Sequence, residues 1–204
     1  MVKGRKLTLE FYRRGDTLTV ARELLGKRLV VPSGRQGKRV SGIIVETEAY
    51  MGPEDKGAHS YNNRRTARTE VMFGAGGVAY VYFIYGMYYQ LNVVANRRDV
   101  PHAILIRAAE PEEGLELMRE RRPGRKDTEL ASGPGKLTVA FSIDRSYNGE
   151  DLRGERLWIE DAGRVVMDDE IASGPRIGID YAEEFVDRPW RFWIKGNPHV
   201  SRKR

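Results

Sequence analysis

The sequence predicts a single α+β domain built on a mostly antiparallel sheet with a few surrounding helices. Five strand-like segments succeed one another at about 28–32, 40–50, 78–84, 88–94 and 102–108, with turn residues between several of them. Helical periodicity is confined to short stretches near 16–26 and 111–121. A chain of 204 residues suffices for one sizeable core and is short for two domains. The domain is therefore expected to span 1–204, with short basic tails at about 1–6 (MVKGRK) and 201–204 (SRKR).

Asp16 can cap the first helix, whose Leu18, Ala21, Leu24 and Leu25 share a face, and Gly26 can end it. The second strand, ending in VETEAY, carries two acids. Residues i, i+2 and i+4 of a strand point to one side, so Glu46, Glu48 and Tyr50 share a face, with Ile43, Val45, Thr47 and Ala49 on the other. A solvent-facing strand accounts for this pattern, and so does a carboxylate held at a cleft as a general base. Periodicity does not choose between Glu46 and Glu48.

The next connection, GPEDKGAHSYNNRRTARTEVMFGAGG, is long for a structureless loop, which points to function or disorder. Its Arg64, Arg65 and Arg68 could clamp phosphates, with Glu70 as an opposing acid. Half of the ten tyrosines lie in AYVYFIYGMYYQLNVV. Tyr85-Gly86-Met87 reads as a hairpin tip exposing an aromatic and a methionine, suited to wedging between bases. Tyr80 and Tyr89 read as core. Pro111 is expected to open a helix through PEEGLELMRERR, with Leu115 and Met118 on one side. SGPGKL at 132–137 reads as a turn from which Lys136 could reach a phosphate. The last third carries strand signals in LWIED and WRFWIKG and a turn at Asn148-Gly149.

Composition narrows the chemistry. Cysteine is absent, which removes disulfides and thiol catalysis together. Three histidines, His59, His102 and His199, have no metal-ligand spacing, so neither a metal nor another cofactor is expected. There is no G-x-S-x-G, P-loop or G-x-G-x-x-G. No apolar run approaches 18 residues and the N-terminus lacks a signal-peptide centre, so a cytoplasmic protein is expected. Lys and Arg number 35 against 29 Asp and Glu, a net charge of +6 that suits a polyanionic partner.

In order along the chain, VETEAYMGPED-x-x-AHS, R-T-x-R-x-x-VMF, AYVYFIYGMYYQLNVV, ILIRAAEPEEG and SGPGKL resemble the 3-methyladenine DNA glycosylases of the alkyladenine type, monofunctional base-excision repair enzymes. The likeness runs from about residue 9 to 201. It implies a curved, mostly antiparallel sheet in one mixed domain, acting as a monomer on double-stranded DNA that contains a damaged purine. It also implies Glu48 as the base that activates water, with Arg107 and a main-chain carbonyl near Ile177 positioning that water. Tyr50 and His59 would stack on one side of an extruded base and Tyr82 on the other. Asn92 would form the pocket floor, Tyr85 the wedge beside Met87, and Lys136 a backbone contact. Two other classes fit parts of the pattern. A non-catalytic nucleic-acid-binding module does not require Glu48, Arg107 and Asn92 together. A nucleoside hydrolase needs neither an exposed Tyr85 nor an arginine cluster.

Overall fold

The computed structural model describes residues 4–34 and 38–201. Its strands are β1 (Arg5–Lys6), β2 (Arg28–Pro32), β3 (Arg39–Tyr50), β4 (Ala79–Ile84), β5 (Tyr88–Ala95), β6 (His102–Glu113), β7 (Trp158–Asp161), β8 (Ile171–Gly174) and β9 (Arg191–Ile194). The helices are α1 (Leu9–Arg13), α2 (Thr17–Glu23), α3 (Leu115–Arg121) and α4 (Pro134–Phe141). The strands form one sheet in the order β1-β7-β2-β3-β6-β5-β4, with β9 also on β3 and β8 on β9. Every named pairing is antiparallel. The predicted α+β architecture is the one observed.

β3 organises the molecule. Along one edge it pairs with β6 over most of its length. On the other, Arg39–Ile43 pair with β2 and Glu46–Glu48 with β9. Its register with β6 slips three times: once near its start, at Ser41–Gly42, and twice further on, leaving Val45 as an extra residue on β3 and Arg107 as an extra residue on β6. Such bulges bend a strand and re-aim a side chain. The last two fall where the two carboxylates sit.

The opposite face of β3 meets α2. Asp16 caps that helix through the amide of Thr19, Val20 and Ala21 are buried, and Thr47 Oγ1 donates to the carbonyl of Ala21 at 2.9 Å. Leu24, Leu29, Ile44, Ile104 and Ile106 are fully enclosed in the same core. Each such side chain contributes about 2 kcal/mol of burial free energy.

Three local expectations are corrected. Pro111 does not open a helix: β6 runs through it to Glu113, paired with β3 at Gly42, and α3 starts only after Gly114 turns the chain with φ 72°. SGPGKL is not a free turn, because Pro134 begins α4, whose Leu137, Ala140 and Phe141 are buried. The segments read as basic tails are partly built into the fold. Arg5 and Lys6 pair with β7, and Ser201 is buried. Residues 1–3 and 202–204 lie outside those described. Among the described residues no helix is long and apolar enough to cross a membrane.

Candidate active site

Glu46 and Glu48 face the same side of β3, and both side chains have zero exposure. The solvent-facing reading of this strand is therefore wrong. Two buried carboxylates require compensation, and the sequence supplies it from three directions. The bulge on β6 turns Arg107 between them: Nε donates to Glu46 Oε1 at 3.1 Å, and Nη1 lies 3.1 Å from Glu48 Oε2. From β9, Arg191 Nε donates to Glu46 Oε1 at 2.7 Å. From the end of the described chain, Ser201 N and Oγ donate to Glu46 at 2.8 and 2.9 Å.

Glu48 has its own partners. The amide of Ile177 donates to Oε1 at 2.7 Å and the hydroxyl of Tyr50 to Oε2 at 3.0 Å. Burial raises the carboxyl of Glu48 above the ordinary range, opposed by the charge of Arg107 and by the Ile177 and Tyr50 hydrogen bonds, while Glu46 pushes it further up. For Arg107, burial opposes the charge, yet the carboxylates of Glu48 and Glu46 hold the guanidinium above its usual value.

In front of this cluster lies a small cavity of about 70 Å³, whose lining includes Tyr50, His59, Tyr82, Asn92, Arg107 and Ile177. Four of the residues implied as base-binding thus converge beside Arg107. Asn92 Nδ2 donates to the carbonyl of Tyr80 at 3.2 Å across the β4–β5 pair. Tyr82 donates from its hydroxyl to Gln90 Oε1.

His59 and Tyr82 touch edge to face, with ring centroids 4.6 Å apart. No slot is open between them in the free protein, and the volume has room for a few waters rather than a purine. Arg68 lies against both rings. Its guanidinium lies 4.7 Å from the centroid of Tyr82, and Nη2 is 3.3 Å from His59 Nε2. A guanidinium only donates, so Nε2 accepts and His59 Nδ1 carries the proton, donating to Tyr80 Oη at 2.9 Å. Burial, reinforced by Arg68 and Arg64, pushes His59 down to about 4, so it is neutral at neutral pH.

The loop that carries His59 is pinned rather than floppy. Asp55 accepts from the amides of Met51 and Gly57 and from Arg176 Nη2 at 2.7 Å, and Ser60 Oγ donates to the carbonyl of Pro101. The guanidinium of Arg176 stacks between Tyr50 and Trp190, 4.7 and 5.0 Å from their centroids. It thereby backs one wall of the cavity. The three loop arginines do not act alike. Arg64 and Arg68 are both exposed, Arg68 lying against Tyr82 and His59, whereas Arg65 is engaged by Glu70 at 2.6 Å, by Asp99 and by the face of Phe73.

Tyr85 and Met87, 74% and 64% exposed, stand at the β4–β5 tip. A groove of about 570 Å³ runs from them to Gly133, Pro134, Gly135 and Lys136 at the start of α4. It shares Ile84, Tyr85 and Gln90 with the small cavity, so the hairpin tip, Lys136 and the cavity are contiguous.

Sequence reasoning missed Arg176, Arg191, Ser201 and the roles of Tyr80 and Gln90 in holding His59 and Tyr82. Alternation in RFWI could have signalled Arg191, since Phe192 and Ile194 enter the core and leave Arg191 on the carboxylate face. Nothing in the sequence marks Ser201.

A profile of the Methylpurine-DNA glycosylase (MPG) family matches residues 10–198. A Desulfitobacterium hafniense protein named "Putative 3-methyladenine DNA glycosylase" is 49% identical over 207 residues, covering 98% of this chain and all of its own. Proteins of the same name from Alkaliphilus oremlandii and Clostridium acetobutylicum are 50% and 52% identical, covering 97% and 96% of this chain and 100% and 97% of their own. With its match running through both the carboxylate strand and the tyrosine hairpin, the chain belongs to the methylpurine-DNA glycosylase family and is a DNA glycosylase.

Proposed function

We propose that the enzyme extrudes alkylated or deaminated purines from duplex DNA, 3-methyladenine, 7-methylguanine, hypoxanthine and etheno-adenine among them, and hydrolyses the N-glycosidic bond with water activated by Glu48. The observation that carries this reading is the juxtaposition of Glu48 and Arg107 with an aromatic cavity that opens beside Tyr85. A base inside a duplex cannot reach a buried carboxylate, so it must leave the stack while another side chain holds the helix open. Tyr85 is that wedge, with Met87 beside it, and both are exposed at the tip of the β4–β5 hairpin.

On entry the base displaces Arg68 and parts His59 from Tyr82. It then lies between Tyr50 and His59 on one side and Tyr82 on the other, with Asn92 beneath. The released Arg68, with Arg64 and Lys136, is free to meet phosphates. Electron-rich tyrosine faces attract purines made cationic by alkylation, by about 0.5–2 kcal/mol. Departure of the base leaves positive charge on the sugar, which the Glu48 carboxylate offsets while it takes a proton from water. Arg107 and the main chain at Ile177 hold that water.

No lysine lines the cavity among the described residues, so release proceeds by water without a Schiff base or strand cleavage and leaves an abasic site. All of these residues come from one chain, and the enzyme acts as a monomer in the cytoplasm, at the nucleoid. A gel assay on duplexes that each carry one of the four lesions tests the proposal. Alkali-sensitive abasic sites from at least one lesion are expected. Binding without base release from any of them would point to the non-catalytic module instead.

A further inference from the structure

Glu46 is enclosed as deeply as Glu48 but has no place in the reaction as described. All four of its polar contacts come from donors: Arg107 Nε, Arg191 Nε, and Ser201 N and Oγ, at 2.7–3.1 Å. Arg191 has no other acceptor among these contacts. Its Nη1 is buried with no hydrogen-bond partner among the described residues, and its guanidinium lies over the ring of Trp193 at 4.6 Å. A buried ion pair of this kind is weak evidence for stability, because well-packed apolar residues often serve the fold as well. Its position suggests another use. Arg191 stands opposite Glu48 in the β3–β9 register, and Arg107 is shared between the two acids.

We propose that Glu46, held by Arg191 and Ser201, is the positioning group of the site: it divides Arg107 between two carboxylates and so keeps Glu48 available as a base. An arginine facing a single carboxylate closes on it with two parallel hydrogen bonds. Here Nε is committed to Glu46, and Glu48 receives only Nη1. Without Glu46 the fork would close on Glu48 and occupy the oxygen that must accept a proton from water. Two acids against two guanidiniums also leave the enclosed cluster neutral. Ser201, through its amide and hydroxyl, thus belongs to the positioning group.

The charged and titratable groups facing Glu48 are Glu46 and Tyr50 on its own strand, Arg107 from β6, Arg191 from β9 and Tyr82 from β4, with Arg176 behind Tyr50. Removing an acid from this set and removing a base should move the ionisation of Glu48 in opposite directions. In Glu46→Gln one negative charge is lost and the charge of Arg107 is no longer divided, so Glu48 ionises at lower pH. In Arg191→Gln a positive charge is lost, so Glu48 ionises at higher pH.

This inference rests on the reading of Glu48 as the base, and the test keeps the two apart. Single-turnover excision from a hypoxanthine duplex would be followed from pH 5 to 9 for the wild type, Glu46→Gln, Arg191→Gln, Ser201→Ala and Glu48→Gln, with binding of the same duplex measured in parallel. Glu46→Gln is expected to lose on the order of 100-fold in rate at unchanged affinity, with its acid limb displaced downward. The limb of Arg191→Gln is expected to move upward, and Ser201→Ala to lose rate without loss of affinity. A merely structural network would lower the melting temperature and leave both limbs in place. Folded variants with wild-type limbs, or with limbs displaced in the same direction, overturn the proposal. Should Glu46→Gln not fold, an unmoved limb in Arg191→Gln overturns it alone. Full activity in Glu48→Gln would instead refute the function proposed above.

Discussion

A carboxylate acts as a general base only while it is ionised, and the burial of Glu48 opposes that state. Because burial raises its carboxyl, the excision rate should climb with pH through a limb above the ordinary glutamate value of 4.5. A limb at or below that value would show that Arg107 and the Ile177 amide outweigh desolvation. His59 gives an opposite, stability-linked effect. In the unfolded chain it takes up a proton below about 6.5, whereas folded His59 resists protonation until about 4. Its depressed value means that the unfolded state binds more protons in this window. Stability is therefore lost as pH falls from about 6.5 toward 4, by about 3 kcal/mol in all. Melting temperatures of the wild type and His59→Gln over this range check the point: the wild type should fall more steeply, and parallel curves would contradict it. At this scale the sequence was only half legible. Alternation placed Glu46, Glu48 and Tyr50 together, but both acids are equally buried. What distinguishes them is a fork of Arg107 made by a bulge, and bulges leave no periodic trace.

The β4–β5 hairpin shows an element shaped against its own preference. Of its turn residues, Tyr85 and Gly86 have φ of 54° and 68°. Asn-Gly suits such a turn, whereas a bulky aromatic in the left-handed region is strained. Tyr85→Asn should therefore stabilise the protein by about 1 kcal/mol in urea unfolding while weakening its binding to lesion duplex. Unchanged affinity would remove the wedge assignment. The same hairpin was readable from the sequence because Gly86 interrupts a run of alternating aromatics. The errors lay where local signals met the sheet. Pro111 is a good helix opener, yet it sits on β6 because Gly114, the residue that can turn with φ 72°, comes later. Pro134 was read as part of a turn because Gly133 and Gly135 flank it, while the buried face of Leu137, Ala140 and Phe141 carries the helix onward.

For the whole molecule, net charge says less than where the charges are placed. Many basic residues are already paired, among them Lys6, Arg22, Lys27, Arg65 and Arg119 with acids, whereas Arg64 and Lys136 make no ion pair with an acid among the described residues and Arg68 is held only by His59 and Tyr82. Binding to duplex should weaken with salt, and the slope of log affinity against log salt should correspond to only a few phosphates. A titration with Lys136→Ala measures this: the slope should fall by about one, and an unchanged slope would remove Lys136 from the interface. Family membership was legible because the carboxylate strand, the arginine loop and the tyrosine hairpin are each continuous in sequence. The C-terminal contribution was not, since Ser201 reaches Glu46 only through the fold. The central claim is that Glu48 supplies the chemistry and the aromatic cavity supplies the base. Single-turnover release of 3-methyladenine or hypoxanthine from duplex DNA by Glu48→Gln tests it most directly. The account predicts loss of excision with lesion binding retained, and full excision by this variant would contradict it.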